Sequence, residues 1–338
     1  MGELELRGKS TFVTGGYGLL GSWLVHELLK RGAQVTVLRR DITNRSPLVT
    51  AGDEQACNVV TGDLCEPGLV ERAIGEYECE LVFHLGAQTI VPVANRSPLS
   101  TFESNVRGTW ILLEACRQQG VDAVVVAASD KAYGNSDQLP YTEEMALRPR
   151  YPYDASKAAA DLISRSYHHT WGLPVAVTRF ANLYGGGDLN RSRLIPEAIS
   201  AVLQGRQPVI RSDGSPERDY LYVDDAVEAY LAIAASVIEG PAAGEAINAG
   251  HGEPVSVRKI VETICSLAGS DLTPDIQGDG LPTGEIPRQW VDASKLERLT
   301  GWTPKVTLEQ GLAQTIDWYR RNPEALSAGP SRTKSIEG

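Results

Sequence analysis

Through the first half of the chain, short apolar runs alternate with longer segments whose apolar residues recur at helical spacing. Ser10–Thr14, 34–38, Asn58–Thr61, 81–85, 123–128 and Val175–Phe180 read as strands. Segments 18–31, 67–74, much of 98–119 and 153–170 read as helices between them. The run Ala-Val-Val-Val-Ala-Ala at 123–128 is small, β-branched and wholly apolar, the composition of a strand covered on both faces. Such alternation predicts an α/β fold built on a parallel, doubly wound sheet with helices on both sides.

The pattern loosens after Asn182. Three glycines and Asp188 make a break, 191–218 mixes a helix with an exposed arginine-rich stretch, and 220–237 reads as a helix returning to the sheet. A loop at 250–255, a helix at 256–267, a Gly/Pro-rich segment at 274–287 and a helix at 294–299 follow. The expected division is a sheet domain of residues 1–180 and 221–250, a smaller mixed α/β domain of 181–220 and 251–320, and a flexible tail at 321–338.

Composition narrows the function classes. Asp plus Glu number 43 against 32 Lys plus Arg in 338 residues, a net charge of −11 with no long basic run. That disfavours nucleic-acid and anionic-membrane partners. No stretch nears the ~20 apolar residues of a membrane span, and the start lacks a signal-peptide pattern, so a cytoplasmic protein is expected. Five scattered cysteines without a Cys-x-x-Cys pair suggest reduced thiols, and five histidines without ligand spacing suggest no metal.

Chemistry enters at Thr14-Gly15-Gly16-Tyr17-Gly18-Leu19-Leu20-Gly21, between the first strand and first helix. Glycines permit a turn at positive φ and let a pyrophosphate approach the backbone, while the helix N-terminus offers free N–H groups. The motif predicts a dinucleotide, NAD or NADP. Asp41 suits a ribose 2′-hydroxyl, whereas Arg39 and Arg40 suit a 2′-phosphate, so the choice stays open. Asp63 and Leu64 are placed to meet the adenine, and Leu85, Gly86 and Ala87 to line the cofactor.

Ser129-Asp130-Lys131 ends the strand at 123–128, where open α/β sheets place ligands. Downstream, Tyr153 and Lys157 stand four apart on one helical face. A phenol titrating near ~10 is a feeble base, and bringing it to about 7 takes ~4 kcal/mol from nearby positive charge. Lys157 and an oxidised nicotinamide are candidate sources of that charge.

These motifs resemble the extended short-chain dehydrogenase/reductase family, its nucleotide-sugar epimerases and dehydratases. The resemblance runs to about Tyr319. It includes Asn105-Val106-Arg107-Gly108-Thr109, Arg179 to Gly185, Arg218 to Asp225, Asp292 to Lys295 and Gly301-Trp302-Thr303-Pro304. It implies a Rossmann sheet, a nucleotide-sugar substrate, a tightly bound NAD or NADP regenerated each turnover, and a homodimer. Segments 101–116 and 155–167 would meet the partner.

Asp130 after Ser129 looks like the 4,6-dehydratases, and Asp130-Lys131 most like those acting on CDP-glucose. A 4- or 2-epimerase is the alternative. Retention of Ser129, Tyr153 and Lys157 argues against a catalytically silent binding protein. The resemblance implies that Tyr153 takes the O4 proton, Ser129 orients that oxygen, Lys157 holds ribose and phenolate, and Asp130 protonates the departing C6 hydroxyl. Lys131 either removes the C5 proton or stabilises the enolate. Gln88, Asn182, Asn190, Arg193, Arg218 and Arg288 are the expected substrate contacts.

Overall fold

The computed structural model describes residues 4–41, 43–281 and 286–326. Seven strands form one wholly parallel sheet. They are β1 (Ser10–Thr14), β2 (Gln34–Arg39), β3 (Asn58–Thr61), β4 (Leu81–His84), β5 (Ala123–Ala127), β6 (Val175–Phe180) and a final strand, Ala246–Ala249. Their order across the sheet is β3, β2, β1, β4, β5, β6 and the final strand. Parallel neighbours cannot be joined by tight hairpins, so each connection crosses a face and covers it.

The chain steps outward from β1 to β3 and then returns to place β4 on the other side of β1. That reversal opens a crevice at the carboxyl ends of β1 and β4. Side chains alternate between faces, so adjacent residues enter different cores. Val13 and Val125 join Leu24, Tyr230 and Ile233 on one side. Phe12 and Val124 join Val70, Leu112 and Val177 on the other.

The second half departs from the periodicity reading. The helix expected from 220 begins only at Val223 and runs to Glu239. Tyr220–Tyr222 is a strand paired in parallel with Asn182–Tyr184. Its Tyr-Leu-Tyr alternation suits a strand, and Leu221 reaches the sheet core. Arg218, in the stretch expected to be exposed, is only 6% exposed.

Helix Leu308–Arg321 was not predicted, although Thr307 and Gln310 form a capping box at its start. With helices Leu194–Leu203 and Val257–Leu267 it encloses a third core around Tyr184, Ile199, Ile260, Ile264 and Ile316. Among the described residues no helix is long and apolar enough to cross a membrane.

Candidate active site

A cleft of about 780 Å³ lies at the carboxyl ends of the central strands. Gly15 turns the chain at φ 74°, and a Cβ there would sit 2.7 Å from the Gly86 backbone. A Cβ at Gly21 would lie 2.1 Å from the Gly15 carbonyl, so α1 (Leu19–Lys30) crosses the turn only without a side chain there. Gly18 meets nothing closer than 3.4 Å, leaving space above the backbone. No side chain caps α1, so its first-turn N–H groups remain available to an anion. This cradle fits a dinucleotide pyrophosphate.

A buried polar chain supports its floor. Thr14 Oγ1 and His84 Nδ1 are 2.7 Å apart, and His84 Nε2 and Thr109 Oγ1 are 3.0 Å apart. Thr109 donates to the Asn105 carbonyl, and the Gly86 N–H donates to Thr14. These partners fix His84 as the neutral Nε2–H tautomer. Burial, with the Lys157 charge second, lowers its pKa to about 3.

Ser129 leaves β5 in extended conformation, and Ser129, Asp130 and Lys131 line the cleft. Ser129 Oγ donates to Asp130 Oδ1 at 3.1 Å, while Asp130 Oδ2 is buried without a hydrogen-bond partner. Burial raises the Asp130 pKa to about 6, and Lys131 opposes the rise. Tyr153 and Lys157 both enter from helix Pro152–Trp171.

Lys157 Nζ donates to the Ala127 carbonyl at 2.7 Å, and burial lowers its pKa to about 8. Burial pushes the Tyr153 phenol up to about 12, with Arg193 and the Ser129 hydrogen bond pulling the other way. The expected support of the phenolate by Lys157 is therefore not the leading effect in the protein alone. Desolvation dominates, and Arg193 is the foremost opposing charge. Arg193 itself is held by Asp188 at 3.1 Å.

Comparison with known proteins bears directly on this cleft. Residues 11–250 match the NAD dependent epimerase/dehydratase family. The chain belongs to that family. It is 32% identical to a dTDP-glucose 4,6-dehydratase of Xanthomonas campestris, covering 92% of this chain and 93% of the relative. A dTDP-glucose 4,6-dehydratase of Escherichia coli is also 32% identical, with 92% of each chain covered.

Among solved structures, the dTDP-glucose 4,6-dehydratase DesIV of Streptomyces venezuelae, with NAD bound, has a TM-score of 0.84 and 31% identity over 93% of this chain and 98% of that one. A UDP-glucose 4-epimerase of Thermotoga maritima has a TM-score of 0.83 and 27% identity over 93% of this chain and 99% of that one. The expected family and sheet are thus found, and the family is NAD dependent.

Most of the expected site residues of this family member line one cleft. Gly15, Tyr17, Gly18, Leu19, Leu20, Gly21, Leu85, Ala87, Ser129, Asp130, Lys131, Tyr153, Lys157, Asn182, Asn190, Arg193 and Arg218 all do. Others are engaged elsewhere. Arg288 pairs with Glu217 at 2.5 Å and lies over the Trp290 ring, with its side chain 58% exposed. The Arg40 guanidinium is committed to Asp41 in an exposed pair.

Asp63 is exposed and accepts the Cys65 N–H, while buried Leu64 packs on Gly108. Gly86 packs on Thr14, and Gln88 exchanges backbone bonds with the Asn105 side chain.

Sequence reasoning missed Arg211, which lines the cleft and forms a two-pronged pair with Glu197 at 2.7 and 2.8 Å. It also missed Thr178 and Tyr230, whose hydroxyls are 2.6 Å apart beneath the same cleft. No motif marks these residues. At one corner the Trp23 indole of α1 donates to the Gly186 carbonyl at 2.7 Å. There a Cβ on Gly186 would lie 2.3 Å from Trp318.

Proposed function

We propose that this chain is a nucleotide-sugar 4,6-dehydratase, a hydro-lyase, with CDP-glucose as its substrate. The observation that carries the reaction is Asp130, a buried carboxyl whose pKa is raised to about 6 and whose Oδ2 has no partner. Such a group keeps its proton into the mildly acidic range, well above an ordinary carboxyl, and can deliver it to a leaving hydroxyl. The Asp-Lys pair at 130–131 supports the CDP-sugar, whereas the relatives named above are dTDP-glucose enzymes.

NAD supplies reversible oxidation of the sugar at C4 when it is bound. Tyr153 accepts the O4 proton, and Ser129 orients that oxygen. Lys157, anchored on Ala127, reaches the ribose. Asp130 protonates O6 as the C6–O6 bond breaks, and water leaves. C5–H, made acidic by the C4 ketone, gives its proton to water in the cleft, and Lys131 stabilises the enolate charge that develops. Arg193 and Arg218 supply positive charge to the nucleotide diphosphate in an otherwise acidic chain, and Asn182 and Asn190 offer it hydrogen bonds.

Residues 1–180 with 221–250 form the coenzyme half in this reading, and 181–220 with 251–320 the sugar-nucleotide half. A homodimer is part of it. Leu99, Trp110 and Leu162 are 73%, 44% and 58% exposed on helical segments flanking the Tyr153 helix or within it.

The test is incubation with NAD and, separately, CDP-, dTDP-, UDP- and GDP-glucose, followed by mass spectrometry. Loss of one water from CDP-glucose is expected. Water loss from a different nucleotide sugar keeps the reaction and overturns the base. An isobaric product indicates the epimerase reading, which the likeness to the Thermotoga maritima enzyme favours. Unchanged mass throughout removes the dehydratase.

A further inference from the structure

Arg39 ends β2, the position from which an acidic residue ordinarily bonds the ribose 2′-hydroxyl of NAD. An arginine there ordinarily receives the 2′-phosphate of NADP. Yet the chain belongs to a family described as NAD dependent. The resolution lies fifteen residues further on, in a segment the motifs pass over.

Glu54 sits on the short helical turn Asp53–Ala56. Its Oε1 accepts the Tyr17 hydroxyl at 2.6 Å and an Arg39 guanidinium N–H at 3.3 Å. Tyr17 belongs to the glycine turn and lines the cleft. Arg39 also donates to Thr61 at the end of β3. Its Nε is buried with no partner. The carboxylate therefore stands between the glycine turn and the end of β2.

Asp53 of the same turn bonds His26 of α1 at 2.9 Å. A second acid beside Glu54 makes the surroundings unfavourable to added negative charge. Burial and then the charges of Asp53 and Glu54 push the nearby Cys57 thiol up to about 12.

We propose that Glu54 sets the coenzyme preference of this protein, offering a carboxylate to the ribose diol of NAD while occupying Arg39 against the 2′-phosphate of NADP. Glu54 takes over from a different element the acid that β2 lacks. A 2′-hydroxyl can donate to this carboxylate. A 2′-phosphate dianion must displace it from Arg39 and approach two acids. The inference rests on the dinucleotide cradle and is independent of the dehydratase reading.

The test equilibrates the full-length protein with an equimolar excess of NADH and NADPH, removes free nucleotide, and measures the retained ratio by chromatography. The unaltered protein is expected to retain mainly NADH. Glu54→Gln, which keeps shape and removes charge, is expected to shift the ratio toward NADPH by about tenfold or more, the scale of one charge-assisted hydrogen bond. Glu54→Ala should shift it in the same direction, and adding Arg39→Ala to Glu54→Gln should abolish the gain. A ratio unchanged in Glu54→Gln overturns the proposal, as does retention mainly of NADPH by the unaltered protein. Retention of neither nucleotide overturns the dinucleotide site along with it, which a Glu54-independent NADH preference does not.

Discussion

At the residue scale, the chemistry turns on how burial sets protonation. Asp130 is held above the ordinary carboxyl range by desolvation, to about 6. An acid is protonated below its pKa, so the elimination step should slow as pH rises through about 6. Asp130→Asn should cut dehydration by about 10²–10⁴-fold, read as product mass, without changing the retained coenzyme. Lys131 separates two roles by substitution. Lys131→Arg keeps the charge and cannot serve as a base at neutral pH. It should retain measurable dehydration where Lys131→Met does not; equal loss in both would make the lysine the C5 base.

His84 carries a stability prediction of opposite origin. Its pKa is lowered from 6.5 to about 3 in the folded protein. The unfolded chain therefore binds a proton that the folded chain refuses. The stabilisation is complete above about 6.5 and is lost as pH falls toward about 3, amounting to several kcal/mol. The physical reason is burial, which disfavours the charged ring, with the Lys157 charge second. Urea midpoints between these pH values should fall less steeply in His84→Gln than in the unaltered protein.

At the element scale, the Tyr153 helix is joined to the sheet by charge as well as apolar packing. Arg179 on β6 is buried and grips Asp161 of that helix at 2.7 and 3.0 Å. It also donates to the Tyr133 hydroxyl at 3.0 Å. Removing one member strands a buried charge, so Arg179→Met should cost about 3–5 kcal/mol, measured by denaturant unfolding. The double change with Asp161→Leu should recover part of that loss.

Elements with local signals were legible in the sequence. β1 to β6, the glycine turn and the Tyr-x-x-x-Lys helix announce themselves through runs, punctuation and spacing. Tyr220–Tyr222 was not, because three residues before a helix carry too little pattern to separate from it. The arginines were not sorted either. Arg211 faces the cleft and Arg288 does not, a difference made by tertiary partners rather than by neighbours in the chain. The same reason hid Glu54, whose meaning depends on Arg39 and Tyr17 meeting it across two loops.

At the scale of the whole molecule, Leu99, Trp110 and Leu162 are exposed apolar side chains that would meet a second copy in the proposed homodimer. Leu162→Glu should weaken self-association, checked by sedimentation velocity, while the monomer's unfolding midpoint moves little. The corner formed by Trp23, Gly186 and Trp318 has a different kind of consequence. It fastens the first helix after the glycine turn to the loop leading toward Asn190 and Arg193, so the two walls of the cleft share a rivet at one end. A cleft joined at that corner is expected to open more readily at the rim opposite it. On the proposed reading, that far rim is the expected way in and out for a sugar nucleotide.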